Sequence, residues 1–328
     1  MKKLLLFTIY LFTSAMLMAQ PASYPSHFTV AQDGSGDFKT IQAAINAVRD
    51  LSQVQVTIYI KKGIYHEKLV IPSWKTKISL IGEDKDSTTI TNADYSGKPN
   101  PQGTDAFGKD KFTTYTSYTV LVQGNDFVAE NLTIQNSAGR VGQAVALHVE
   151  GDRCIIKNCN LLGNQDTIYA ATENSRQYYK DCFIQGTTDF IFGEATAVFD
   201  HCTIKSLSDS YVTAASTTPR QQFGFVFFDC TLAADSSVKK AHLGRPWRPY
   251  ANVVFIRTQM GAHIIAVGWD NWRNPENEKT AFFAEYQSTG PGANNSARAA
   301  WSHQLSDSQV KKYTIKNILS GKDNWNVE

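Results

Sequence analysis

Short stretches of alternating apolar and polar residues recur along this chain, each opened by a polar residue and then a small or apolar one. The copies are Asn131-Leu132-Thr133-Ile134, Asn158-Cys159-Asn160-Leu161, Asp181-Cys182-Phe183-Ile184, His201-Cys202-Thr203-Ile204 and Asp229-Cys230-Thr231-Leu232. Alternation with period two marks a strand, so each copy predicts one short strand. The steps begin 27, 23, 20 and 28 residues apart. A constant strand joined by loops of varying length gives such a wandering period, whereas a propeller blade needs about 40 residues and more strands per unit. The pattern predicts an all-β fold, a single-stranded parallel β-helix in which alternate residues point into a stacked core.

The pattern changes at both ends. Thr40 can cap a short helix whose Ile41, Ala44, Ile45 and Val48 fall on one face, placed to plug the first coil. A second amphipathic segment begins at Ser306, carries Val310, Tyr313, Ile315 and Ile318, and stops near Gly321. It is expected to lie along the outside or to close the other end. Between the first coils, Asn92 to Tyr118 is rich in Gly, Pro, Asp, Lys, Thr and Ser and predicts a long loop, a feature that usually sits on a working face.

Met1 to Ala19 has a basic start at Lys2 and Lys3, an apolar run from Leu4 to Leu17 and a small residue at its end, which predicts an export signal. Residues 20–328 are then expected to form one domain, secreted or periplasmic and monomeric, because a solenoid extends its core in one dimension. No later stretch is apolar enough to predict a membrane span. The chain has 32 Lys and Arg against 30 Asp and Glu, and loss of the two signal lysines leaves 30 against 30. Bulk attraction of an anionic polymer is therefore absent, no nucleic acid partner is expected, and an acidic ligand must be held by local cations such as Arg245 or Arg248.

Of the five cysteines, Cys159, Cys182, Cys202 and Cys230 hold the same place in successive steps, and Cys154 stands apart. They predict a buried ladder of free thiols, with disulfides between adjacent coils as the rival reading.

Two of these steps share more than a strand. Cys159 precedes Asp166 by seven residues and Cys182 precedes Asp189 by seven, in Gly163-Asn164-Gln165-Asp166-Thr167 and Gly186-Thr187-Thr188-Asp189-Phe190. Neighbouring strands lie roughly 4.8 Å apart, so equal offsets place both carboxylates on one face, one above the other. Paired carboxylates suit acid/base or nucleophilic chemistry. A lone Asp after a strand is more often a turn residue, and the equal offsets together with the flanking motifs favour chemistry here.

At this point the chain resembles the pectin methylesterases. The resemblance rests on Gly63-Ile64-Tyr65-His66-Glu67, Gln143-Ala144-Val145-Ala146-Leu147, the two aspartate segments continued to Tyr169 and Gly193, Leu243-Gly244-Arg245-Pro246-Trp247, and Gly290-Pro291-Gly292-Ala293, all in the family's order. It implies a right-handed helix and hydrolysis of methyl esters on homogalacturonan, the pectin backbone, with no metal or organic cofactor. Asp189 matches the family's nucleophile, Asp166 its general acid, Gln143 and Gln165 its oxyanion donors, Arg245 its conserved arginine and Trp247 a sugar-stacking aromatic. Tyr169, Phe192 and Trp272 are expected as further walls of the groove. The cation of Arg245 is expected to depress the pKa of Asp189.

Other chemistries lack their residues. No G-x-S-x-G is present for a serine nucleophile, and the seven histidines show no H-x-x-x-H spacing for zinc. A pectate lyase would need a carboxylate cluster for calcium, and a polygalacturonase its Asn-Thr-Asp and Gly-His-Gly segments; neither is evident. A non-catalytic carbohydrate-binding protein would account for the aromatics but not for a complete set of candidate catalytic groups.

Overall fold

The structure, a computed structural model, describes residues 24–104 and 108–327. The export signal expected over 1–19 lies outside the described residues. Among the described residues the chain winds into three long sheets of 11, 7 and 8 strands, and the named strands pair in parallel with their counterparts one coil away. This is the parallel β-helix that the alternating pattern predicts.

The steps found in the sequence are corners of the coil. Asn131, Asn158, Asp181, His201 and Asp229 all adopt left-handed backbone, with φ between 47° and 56°. Asn and Asp tolerate that region better than most side chains, which explains their prevalence at the corner. Each corner amide donates to the next coil, as from Asn158 to Lys180 O at 2.9 Å and from Asp181 to Asp200 O at 3.0 Å. The row continues through Arg257 and Gln287, at φ 49° and 48°. Their residue types, followed by Thr258 and Ser288, hid these corners from the sequence pattern.

Inside, like stacks on like. Ile90, Ile134, Leu161, Ile184, Ile204, Leu232 and Met260 are register partners along one interior row. Tyr179, Phe199, Phe227 and Phe255 form another, with ring centroids 4.7, 4.5 and 4.3 Å apart. Each buried ring of this kind contributes roughly 1.5–3 kcal/mol of transfer free energy. All five cysteines are buried and free. Cys182, Cys202 and Cys230 lie within weak hydrogen-bond distance of the carbonyls of Ile156, Tyr179 and Phe199.

The helix Ile41–Ala47 plugs the first coil, capped by Thr40 and held at its N-terminus by Glu67, whose carboxylate accepts from the amides of Ile41 and Gln42. The C-terminal amphipathic segment is two short helices, Asp307–Val310 and Ile315–Leu319, because Thr314 caps a fresh start between them. They pack along the outside of the largest sheet, against Tyr178, Val198, Val226 and Val254.

Candidate active site

The seven-stranded sheet carries one outward row, in register from coil to coil: Leu121, His148, Tyr169, Phe192, Ala214 and Arg245. Asp166 and Asp189 precede its strands Ile168–Ala170 and Ile191–Gly193 by two residues each, both in left-handed backbone at φ 65° and 50°. The tight approach to the second aspartate needs Gly186, where an added Cβ would lie 2.2 Å from Phe190 Cβ.

Gln143, Gln165, Asp166, Asp189, Phe192, Arg245, Trp247 and Trp272 line one cavity of about 290 Å³, together with Thr114, Tyr115 and Ala214. Tyr169 lies beside it, stacked on Phe192 at 4.6 Å with the rings 3° from parallel. The structure thus brings all nine expected residues to one cleft. A larger cavity of about 800 Å³ adjoins it across Tyr115 and Tyr169 and runs past His148 to Lys68, Asp94 and Lys98. Thr114 and Tyr115 went unnoticed in the sequence because they ride on the long loop, whose composition predicts no strand register. Tyr211 was missed as well, though it faces Arg245.

Arg245 holds Asp189 in a fork, donating from Nε to Oδ1 at 2.9 Å and from Nη2 to Oδ2 at 2.7 Å. Such a bidentate, charge-assisted pair fixes both the position and the plane of the carboxylate. Asp189 nevertheless sits above the usual carboxylate range, because burial outweighs the hydrogen bonds and charge of Arg245. The expected depression is therefore reversed: at 6% exposure the ionised form loses more hydration than the guanidinium restores. Asp166 is raised well above the ordinary range, first by burial and then by the charge of Asp189. Among the described residues its carboxyl accepts no hydrogen bond.

Gln143 and Gln165 face each other across a parallel bridge, and Ala144 N donates to Gln165 O at 3.1 Å. Among the described residues neither side-chain amide has a hydrogen-bond partner, and both line the cavity where a ligand would sit. Trp247 meets Phe192 edge-on at 5.8 Å, and Arg248 lies 4.7 Å over its ring. The face of Trp272 is covered by the Arg245 guanidinium, 3.7 Å from the ring centre.

Another set of ionisable groups, Asp200, His201 and Asp229, gathers at the corner row with ligand atoms within 4.8 Å of one another. These groups are already engaged within the protein: Arg257 donates to Asp229 at 2.8 and 2.6 Å, Tyr178 donates to Asp200 at 2.6 Å, and His201 Nδ1 lies 2.7 Å from Asp200 Oδ1.

A parallel β-helix bearing a long, aromatic-walled cleft with two buried carboxylates is the architecture of an enzyme that works on an extended chain. The Pectinesterase family profile matches residues 27–322. The chain is 41% identical over 293 residues to pectinesterase 31 of Arabidopsis thaliana, covering 88% of this chain and 91% of that one. Several pectinesterase/pectinesterase inhibitor relatives from the same plant are longer, and the chain spans about half of their length, as with the 44% of number 21 at 37% identity. Among solved structures, pectin methylesterase from carrot superposes with a TM-score of 0.81 at 33% identity, over 93% of this chain and 96% of that one. A pectin methylesterase in complex with a hexasaccharide does so at 0.78 and 31% identity, over 93% and 99%. The chain belongs to the pectinesterase family and is an ester hydrolase.

Proposed function

We propose that this enzyme hydrolyses the C6 methyl esters of homogalacturonan through a covalent intermediate on Asp189. The single observation that carries the reading is the Arg245 fork, which orients the Asp189 carboxylate beside a second carboxyl whose ionisation burial opposes. An Asp189 oxygen attacks the ester carbonyl, and the carbonyl electron pair moves to oxygen. The side-chain amides of Gln143 and Gln165 donate to that oxyanion without neutralising the nucleophile. As the tetrahedral centre collapses, the bond to methoxide breaks and Asp166 gives it a proton, releasing methanol and leaving an acyl anhydride on Asp189. Asp166, now ionised, takes a proton from water. The resulting hydroxide attacks the acyl carbon, Asp189 departs as carboxylate, and a free galacturonate remains.

The aromatic strip of Tyr115, Tyr169, Phe192 and Trp247 gives the cleft an apolar wall for sugar rings. We also infer that residues 1–19 direct export and that residues 20–328 act as one domain outside the cytoplasm. A secreted product whose mass begins at residue 20 is the expected observation, and retention of the first 19 residues would refute it.

The test of the activity is incubation of the purified chain with highly methylated pectin, with methanol, unsaturated ends and reducing ends followed together. Methanol without chain cleavage is the expected result. Cleavage without methanol would instead assign a depolymerase.

A further inference from the structure

We propose that Tyr211 is a positioning residue that couples the two halves of the Asp189–Arg245 pair. The inference rests on the reading of Asp189 as nucleophile. Tyr211 opens the strand Tyr211–Ala215, one coil beyond Asp189. Its backbone carbonyl accepts from the Asp189 amide at 2.9 Å, while its ring centre lies 4.0 Å from Cζ of Arg245. The same Cζ lies 3.7 Å from the ring centre of Trp272.

A guanidinium is planar, weakly hydrated and drawn to aromatic faces. Two rings at these distances restrict its rotation and leave its edge to donate to both oxygens of Asp189. Each ring is itself anchored. Tyr211 stacks on His242, its register partner, at 4.9 Å and 28°. Trp272 stands in left-handed backbone at φ 60°, its amide donating to Asp270 Oδ1 at 2.7 Å. One residue thus fixes the nucleophile through its main chain and the nucleophile's partner through its ring. Removing the ring leaves the charge of Arg245 and the backbone bond in place but frees the fork to turn. The loss then falls on the chemical step and not on polymer binding.

The experiment uses the mature enzyme on highly methylated pectin, with methanol release and thermal unfolding measured for Tyr211→Leu, Tyr211→Phe, Arg245→Lys and the Tyr211→Leu/Arg245→Lys pair. Tyr211→Leu is expected to lower kcat about tenfold with KM within about twofold, and Tyr211→Phe to recover most of the loss. In the Arg245→Lys background the leucine is expected to cost less than about twofold more, because an ammonium has no plane to stack. Full kcat in Tyr211→Leu, a rise in KM alone, or additive losses in the pair would each overturn the proposal. Should Tyr211→Leu fail to fold, Trp272→Leu removes the opposite plate and is expected to reproduce the loss in kcat; normal kcat there overturns it. Asp189→Ala separates the two readings. Turnover retained in that variant removes the nucleophile assignment itself, whereas a dead Asp189→Ala beside a fully active Tyr211→Leu removes only the clamp.

Discussion

Asp166 and Asp189 occupy the same corner of consecutive coils, each in left-handed backbone and each giving its amide to the coil beyond, to Thr188 O at 3.1 Å and Tyr211 O at 2.9 Å. Identical backbone settings hold two carboxyls of different character. Asp189 has a guanidinium fork, while Asp166 has burial and a charged neighbour. The difference in partners, and not in local chain, is what the proposed division between attack and proton transfer rests on.

Turnover should follow a bell in pH. Its acid limb reports ionisation of Asp189 and lies above the ordinary carboxylate range, and its alkaline limb reports loss of the Asp166 proton. Arg245 is the cation facing Asp189, and Asp270 adds a repulsive charge. Arg245→Gln removes the hydrogen bonds and the charge that oppose burial, so the acid limb of kcat/KM should move up by about one unit or more. An unmoved limb in pH-rate profiles would show that the fork does not set this ionisation.

Asp166→Asn should trade activity for stability. A carboxyl whose folded pKa exceeds its unfolded value binds more protons when folded. Its contribution to stability is therefore greatest at acid pH and declines as pH rises from the ordinary carboxylate range toward the folded pKa. An amide has nothing to ionise. At neutral pH the variant should melt higher, by about 2–4 °C for each kcal/mol recovered, with turnover down at least about a hundredfold. Calorimetry across pH checks the sign, since the advantage should shrink toward pH 4.

Glu285 and Arg298 form an ion pair near the far end of the helix, both almost fully buried, with contacts of 2.8 and 3.1 Å. Arg298 also donates to the carbonyls of Ile265, Ala266 and Gly292. Glu285 stands in register with Phe255, so the aromatic row gives way there to a charge. Removing one partner strands the other, and Arg298→Ala should cost about 3–5 kcal/mol in urea unfolding. A loss below 1 kcal/mol would mean that water reaches the pair.

The thiols should be silent in the folded protein. Burial pushes Cys154 up to about 12 and raises Cys159, Cys182 and Cys202 strongly. A thiol reagent should label none of the five before unfolding and all five in denaturant, and a reductant should leave the melting temperature unchanged. Fewer than five in denaturant would reveal a disulfide.

The sequence by itself determined the coil, the paired carboxylates and the cysteine row. A solenoid stacks each residue on its equivalent one coil away, so equal offsets along the chain become neighbours in space without knowledge of any loop. Asp166 and Asp189 were legible for that reason, and Arg245 and Trp247 through the resemblance that their segment carries. Only the tertiary structure decided the rest. The long loop brings Thr114 and Tyr115 to the cleft, and the turn after Gly268 lays Trp272 on Arg245, because irregular loops have no period to read. The ionisation of Asp189 was likewise set by the assembled cleft: a cation can be found in a sequence, but the loss of water around the carboxylate depends on every wall that closes over it.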